Sequence, residues 1–230
     1  MKIRLSFMAV LAASAINTSP SLAAGDIAKG EALSQTCLGC HGVPGLRNPS
    51  PVYRVPMIGG QKAVYLETAL KAYKNKTRSH PTMRAQAANL SDENIKDISA
   101  YFESLKQESK PFSKSGAAAG EKIFNEIDKD SKVGCVTCHG TGGRASIDEA
   151  KPDGTSLTEK EAEAIKETPS LAGQYDDYLQ RVLLDYKSGA RVSIMNGFAS
   201  NLSKNDIKAL SRWLRSKKGI LNAPVIKSKK

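Results

Sequence analysis

Along most of the chain, apolar residues recur at helical rather than strand spacing. Tyr65, Leu66, Leu70 and Tyr73 fall at i, i+1, i+5 and i+8, one face of an amphipathic helix. Tyr178, Leu179, Leu183 and Tyr186 repeat that spacing. Ile95, Ile98, Tyr101 and Phe102 form a second apolar stripe, matched by Ile207, Leu210, Trp213 and Leu214. Ser91 and Ser203 precede these stripes, followed by Asp92-Glu93 and by Asp206. Such residues cap a helix start and complement its dipole. The pattern predicts an all-α protein whose architecture is built twice.

Other pieces recur in the same order. Pro56-Met57-Ile58-Gly59-Gly60-Gln61 matches Pro169-Ser170-Leu171-Ala172-Gly173-Gln174. Met83 matches Met195, each followed seven residues later by Leu-Ser. Gly30 and Gly120 sit in similar Ala/Gly/Glu surroundings. A helical glycine lets another helix approach closely, so Gly30 is expected against Tyr101 and Gly120 against Trp213. The division that follows is a first domain over 25–106, a polar linker over 107–116 and a second domain over 117–220. A basic tail, expected to be loose, spans 221–230 and ends in Lys227, Lys229 and Lys230.

Residues 1–23 read as a cleavable signal peptide. Lys2 and Arg4 precede an apolar run from Leu5 to Ile16, too short to cross a bilayer comfortably, and Ser21-Leu22-Ala23 offers small residues for cleavage. Export places the mature chain in the periplasm. No second long apolar run follows, which excludes a polytopic membrane protein.

Charge changes the picture modestly. The formal balance of the 230 residues is +11, and losing Lys2 and Arg4 lowers it to +9. Basic residues gather at Lys71, Lys74, Lys76, Arg78 and Arg84, and again at Arg212, Arg215, Lys217 and Lys218. The expectation is electrostatic steering of the first domain toward an acidic redox partner or an anionic membrane surface. Export argues against a nucleic-acid partner. Aromatics are only 6% of the chain, thin for two self-sufficient cores.

The four cysteines resolve that shortage. Cys37-Leu38-Gly39-Cys40-His41 and Cys135-Val136-Thr137-Cys138-His139 are both C-x-x-C-H, the c-type haem attachment pattern. Two thiols add across the vinyl groups of one haem, and the adjacent imidazole falls beneath the iron. A disulfide framework, a zinc site or a thioredoxin-like pair leaves the histidine in both copies unexplained. Two covalently bound haem c groups are therefore expected, each adding a large apolar face to a small core. For the second axial position, the later half has no spare histidine, so Met195 is the conventional candidate besides lysine. The earlier half has three: Met57, His80 and Met83. Met57 aligns with Ser170 and reads as packing. Met83 shares the offset of Met195 and is preferred, with His80 as the alternative ligand or, otherwise, a surface loop residue.

These motifs, in duplicate behind a signal peptide, resemble the dihaem cytochrome c4 family over nearly all of the mature chain. The resemblance implies a tandem duplication of class I cytochrome c domains packed with pseudo-twofold symmetry. It implies His41 and His139 as proximal ligands and Met83 and Met195 as distal ones. It implies an electron carrier rather than an enzyme, passing single electrons from a quinol-oxidising complex to a terminal oxidase. A cytochrome subunit of a periplasmic dehydrogenase is the alternative. A dihaem peroxidase or thiosulfate-oxidising enzyme has less support, since no fifth cysteine exists and His80 is the one histidine left as a base. Gln61, Gln174, Tyr73 and Tyr186 are candidates for propionate or interface contacts.

Two stretches depart from the internal repeat. His139 and Pro169 are 30 positions apart, against 15 between His41 and Pro56. The extra segment, 144–167, carries seven acids and predicts a short helix over 157–167 begun by Thr158 and Glu161. Gly120 and Cys135 are fifteen positions apart, against seven for Gly30 and Cys37. Both are expected to be solvated loops rather than a docking face. In the first half, a backbone carbonyl within 44–56 is expected to orient the His41 ring. The later half offers no similar proline run.

Overall fold

A computed structural model describes residues 25–108, 118–126, 128, 133–146, 156 and 158–225. The signal segment, most of the linker, Asp148, Glu149, Asp153 and the terminal lysines lie outside the described residues.

The first half runs through α1 (Ile27–Leu33), α2 (Gln35–His41), α3 (Ala63–Lys74), α4 (Pro81–Ala87) and α5 (Asp92–Ser104). Between α2 and α3 lies a small antiparallel hairpin, β1 (Arg47–Pro49) and β2 (Val52–Arg54), which the helical pattern did not anticipate. The second half runs through α6 (Ala118–Asn125), α7 (Cys135–His139), α8 (Glu159–Glu167), α9 (Asp176–Ser188), α10 (Met195–Ser200) and α11 (Lys204–Ser216). Side-chain caps start α1, α5 and α11, whereas α3 and α9 begin without one. Asp26 accepts the Ala28 and Lys29 amides, Ser91 accepts that of Asn94, and Ser203 with Asp206 forms a reciprocal capping box.

In each half the first helix crosses the last at a glycine. A β-carbon on Gly30 would stand 2.0 Å from the Asp97 carbonyl oxygen and 2.8 Å from Tyr101 Cβ. One on Gly120 would stand 2.3 Å from the Ala209 oxygen and 2.6 Å from Trp213 Cβ. Both crossings therefore require the absent side chain, as expected. The predicted stripes form the cores. Leu38, Leu66, Ile98, Tyr101 and Phe102 pack in the first half. Phe124, Val136, Leu179, Leu183, Ile207, Leu210, Trp213 and Leu214 pack in the second.

Residues 221–225 correct the expectation of a loose tail. Leu221 is fully buried and packs with Met57 and Tyr175. Asn222 exchanges two backbone hydrogen bonds with Gly59, each 3.0 Å, and its side-chain amide donates to the Leu105 carbonyl at 2.7 Å. The end of the second half is thus pinned onto the first.

Candidate haem sites and their interface

α2 and α7 present the two C-x-x-C-H motifs, and no disulfide joins any of the four cysteines. Burial raises the pKa of Cys37, Cys135 and Cys138 in the haem-free polypeptide, which keeps these thiols protonated before attachment. His41 and His139 close the two helices and are buried. The Nδ1–H of His41 donates to the Pro56 carbonyl at 2.8 Å. That of His139 donates to the Pro169 carbonyl at 3.1 Å. A carbonyl partner requires the hydrogen on Nδ1, which leaves the Nε2 lone pair for a metal. Burial lowers the pKa of His41, and that of His139 to about 4, while the proline carbonyl acts oppositely in each case. Both rings are therefore neutral donors. Among the described residues, no group of three or more His, Cys, Asp or Glu is placed to hold a bare metal ion. The donor set, one buried imidazole beside a pair of cysteines, suits an iron that brings its own equatorial nitrogens on a macrocycle the two sulfurs can hold.

The acceptor for His139 was present in the repeat and went unrecognised. Pro169 aligns with Pro56, and the carbonyl of that position serves both histidines. No proline run is needed.

Met83 lies in α4 and Met195 opens α10, both half-buried. Met195 and Cys135 pack against the same second-half core. His80 corrects its reading as a surface loop residue. It caps α4, its Nδ1 accepting the Met83 amide at 3.2 Å, while its Nε2 pairs with the Tyr53 hydroxyl at 2.9 Å. Both ring nitrogens are engaged. Met57 is buried packing, as its alignment suggested.

A cleft between the halves is lined by Tyr53, Tyr73, Arg78, His80, Tyr178 and Arg191, among others. Arg78 lies over the Tyr73 ring at 4.5 Å, and Arg191 over the Tyr186 ring at 4.6 Å. Arg191 also donates to the Tyr65 hydroxyl at 3.3 Å, across the interface. Burial acts to raise the Tyr65 pKa, but the two guanidinium groups outweigh it and hold the phenol down to about 8. Such a positive pocket suits the carboxylates of a macrocycle. The arginine pair was legible but missed, since each arginine follows its tyrosine, Tyr65 or Tyr178, by thirteen positions.

The cytochrome c family model matches residues 27–106 and again 117–218. Cytochrome c4 of Pseudomonas aeruginosa is 31% identical over 199 residues, covering 84% of this chain and 89% of that protein. The chain belongs to the dihaem cytochrome c4 family. The crystal structure of reduced recombinant cytochrome c4 from Pseudomonas stutzeri superposes with a TM-score of 0.65 at 30% identity, covering 84% of this chain and 100% of that one. A thiosulfate dehydrogenase electron acceptor from Thiomonas intermedia is 26% identical, over 78% of this chain and 77% of its own.

As a cytochrome c4 relative, the chain holds two covalent haem c groups in tandem cytochrome c domains. It is an electron carrier, not an enzyme. No helix among the described residues is long and apolar enough to cross a membrane.

Several of the clustered charges also have partners within the protein. Arg78 is drawn into the interdomain cleft, Lys71 pairs with Glu67 and Lys74 with Asp92. In the other cluster, Arg215 pairs with Asp176, Lys217 with Glu121 and Lys218 with Glu108. The insertion is also no plain solvated loop. α8 begins where the Thr158 carbonyl accepts the Ala162 amide, and it packs against α7 and, across the interface, α3. Its Ile165 is 3% exposed, and the Ile165 carbonyl accepts from the Lys62 ammonium of the first domain.

Proposed function

We propose that this cytochrome carries single electrons in the periplasm, entering at one haem and leaving from the other, between a quinol-oxidising complex and a terminal oxidase. In this reading residues 1–23 direct export. The domains occupy 25–106 and 117–220, joined through 107–116. Cys37 and Cys40 hold one haem by thioether bonds and Cys135 and Cys138 the other. His41 and Met83 are the axial ligands of the first iron, and His139 and Met195 those of the second.

One observation carries the reading: in both halves a buried, neutral histidine is oriented through Nδ1 by the same proline carbonyl of the repeat. When bound, each haem stores and releases one electron at its iron. The protein's part is to fix geometry and polarity. The proline carbonyls hold the imidazoles in one tautomer and orientation. Thioether ligation favours reduced iron and raises the potential. Arg78 and Arg191 line the cleft and would offer positive charge to haem propionates reaching it. His80 has both nitrogens occupied, which supports Met83 as the distal ligand.

The test is ferric red-band spectroscopy with a redox titration on wild type, Met83→Ala and Met195→Ala holoprotein. Each variant is expected to lose one of two thioether-ligation signals. An unchanged spectrum in Met83→Ala would transfer the first iron to His80. Mass spectrometry of the exported protein is expected to show two haem adducts and no leader.

The second reading, an electron-accepting subunit of a periplasmic dehydrogenase, is favoured by the Thiomonas relative. Stoichiometric copurification with such an enzyme would select it. Surface steering toward an acidic partner or an anionic membrane rests on the first cluster, where Lys71, Lys74, Lys76 and Arg84 stay outside the cleft that takes Arg78. Electron-transfer rates that stay flat as salt rises would exclude it.

A further inference from the structure

The two glutamines of the repeat are each 4% exposed and reach across the domain interface. Gln174 Oε1 accepts the Met57 amide at 3.0 Å, and its Nε2 donates to the Met57 carbonyl at 2.8 Å. Gln61 does the same to Ser170: Oε1 accepts the Ser170 amide at 3.0 Å, and Nε2 donates to the Ser170 carbonyl at 3.0 Å. Partner types alone fix the orientation of both side-chain amides, since an N–H must face oxygen and a carbonyl must face nitrogen. Each Oε1 takes a second N–H from its own domain, Lys62 for Gln61 and Tyr175 for Gln174.

The Met57 N–H and the Pro56 carbonyl belong to one peptide group. So do the Ser170 N–H and the Pro169 carbonyl. Those carbonyls are the acceptors of His41 and His139. The chain of contacts is therefore Gln174, the Pro56–Met57 peptide, His41 and, in mirror image, Gln61, the Pro169–Ser170 peptide, His139.

We propose that Gln61 and Gln174 are crossed positioning residues, each setting the proximal histidine of the opposite domain. Accepting a hydrogen bond at a peptide N–H polarises that peptide and strengthens its carbonyl as an acceptor. A stronger acceptor pulls on the imidazole Nδ1–H, makes Nε2 more basic and favours ferric iron. The bidentate grip also fixes the direction of the carbonyl, hence the plane of the imidazole. Each haem potential thus depends on docking of the other domain, with no covalent route between them except the linker. The proposal rests on His41 and His139 being the proximal ligands.

The experiment uses the full-length holoprotein, with NMR of the hyperfine-shifted ferric haem methyls and a redox titration. Each haem is assigned by nuclear Overhauser contacts to Leu38 or to Val136. Wild type comes first: absence of shifted proximal-histidine signals would end the axial assignment itself. In Gln174→Met, the haem beside Leu38 is expected to shift while the one beside Val136 stays. At a fixed solution potential its reduced-to-oxidised ratio rises by up to about tenfold, roughly 59 mV for one electron. His41 Nδ1–H exchange quickens as well. Gln61→Met gives the mirror result at the other haem. Gln174→Glu keeps an oxygen facing the Met57 amide and covers the case in which the methionine variant fails to fold; its first-haem potential is expected to stay at or below that of wild type. A shift at the haem of the mutated domain, an equal shift at both, an equal rise in the Glu and Met variants, or no shift in folded protein would each overturn the proposal.

Discussion

The imidazole of His80 accepts the backbone N–H of Met83, so the alternative ligand for the first iron is the cap of the helix that carries the proposed one. Replacing a capping acceptor by alanine costs about 1 kcal/mol. His80→Ala is expected to lower the unfolding free energy by about 1 kcal/mol and to weaken the first red-band signal, leaving the second intact. His80→Asn, a good cap, should recover most of the stability. A red band fully lost in both variants would contradict the capping role.

Gly120→Ala is expected to destabilise the second domain by about 3 kcal/mol or more, at the upper end for overpacking. Its β-carbon would meet the rigid Ala209 carbonyl at 2.3 Å rather than a movable side chain. Gly142, with open space around it but a positive φ of 65°, should lose less than Gly120 on the same change. Guanidinium denaturation of the two variants compares them directly.

Arg54 bridges the domains through Asp177, its Nε 2.9 Å from Oδ1, and its guanidinium also reaches Asp176 and covers the Tyr175 ring at 4.6 Å. Arg54→Ala leaves two half-buried carboxylates with fewer partners and should cost about 2 kcal/mol, between the surface and buried limits for ion pairs. Hydrogen exchange at the Met57 and Ser170 amides should quicken with it. Unchanged exchange would mean the interface holds without this bridge.

Burial holds the Lys62 ammonium down to about 8, with Glu103 acting the other way. Below that pH the residue is charged in folded and unfolded chains alike. Between about 8 and the ordinary lysine value of about 10.4, the unfolded chain binds more protons, so this group adds stability as pH rises. The stability difference between wild type and Lys62→Met should therefore move in favour of wild type from pH 7 to pH 10. Parallel pH curves would contradict it.

What the sequence conveyed was whatever the duplication wrote twice. The helix faces, the two caps at Ser91 and Ser203 and the glycine crossings all recur at matched offsets, and local rules sufficed to interpret them. Pro169 was equally visible, but its carbonyl is a backbone group, and side-chain pattern does not announce which backbone oxygen turns toward a ring. Arg78 was read by charge alone as a surface group. Its burial depends on aromatic faces supplied from both domains, which only the docked halves create. The hairpin of β1 and β2 and the return of Leu221 and Asn222 have no counterpart among the described residues of the other half, and comparison of the repeats was silent on them.

That return at Asn222 has a bearing on how the protein matures. Gly59 and Leu105 find their partner only when Asn222, which follows the whole of the second half, has been made. The half made first is consequently the half finished last. A ribosome stalled, or a gene cut short, before Leu221 would leave the early domain lacking its final brace, even though every residue of its own repeat had been synthesised.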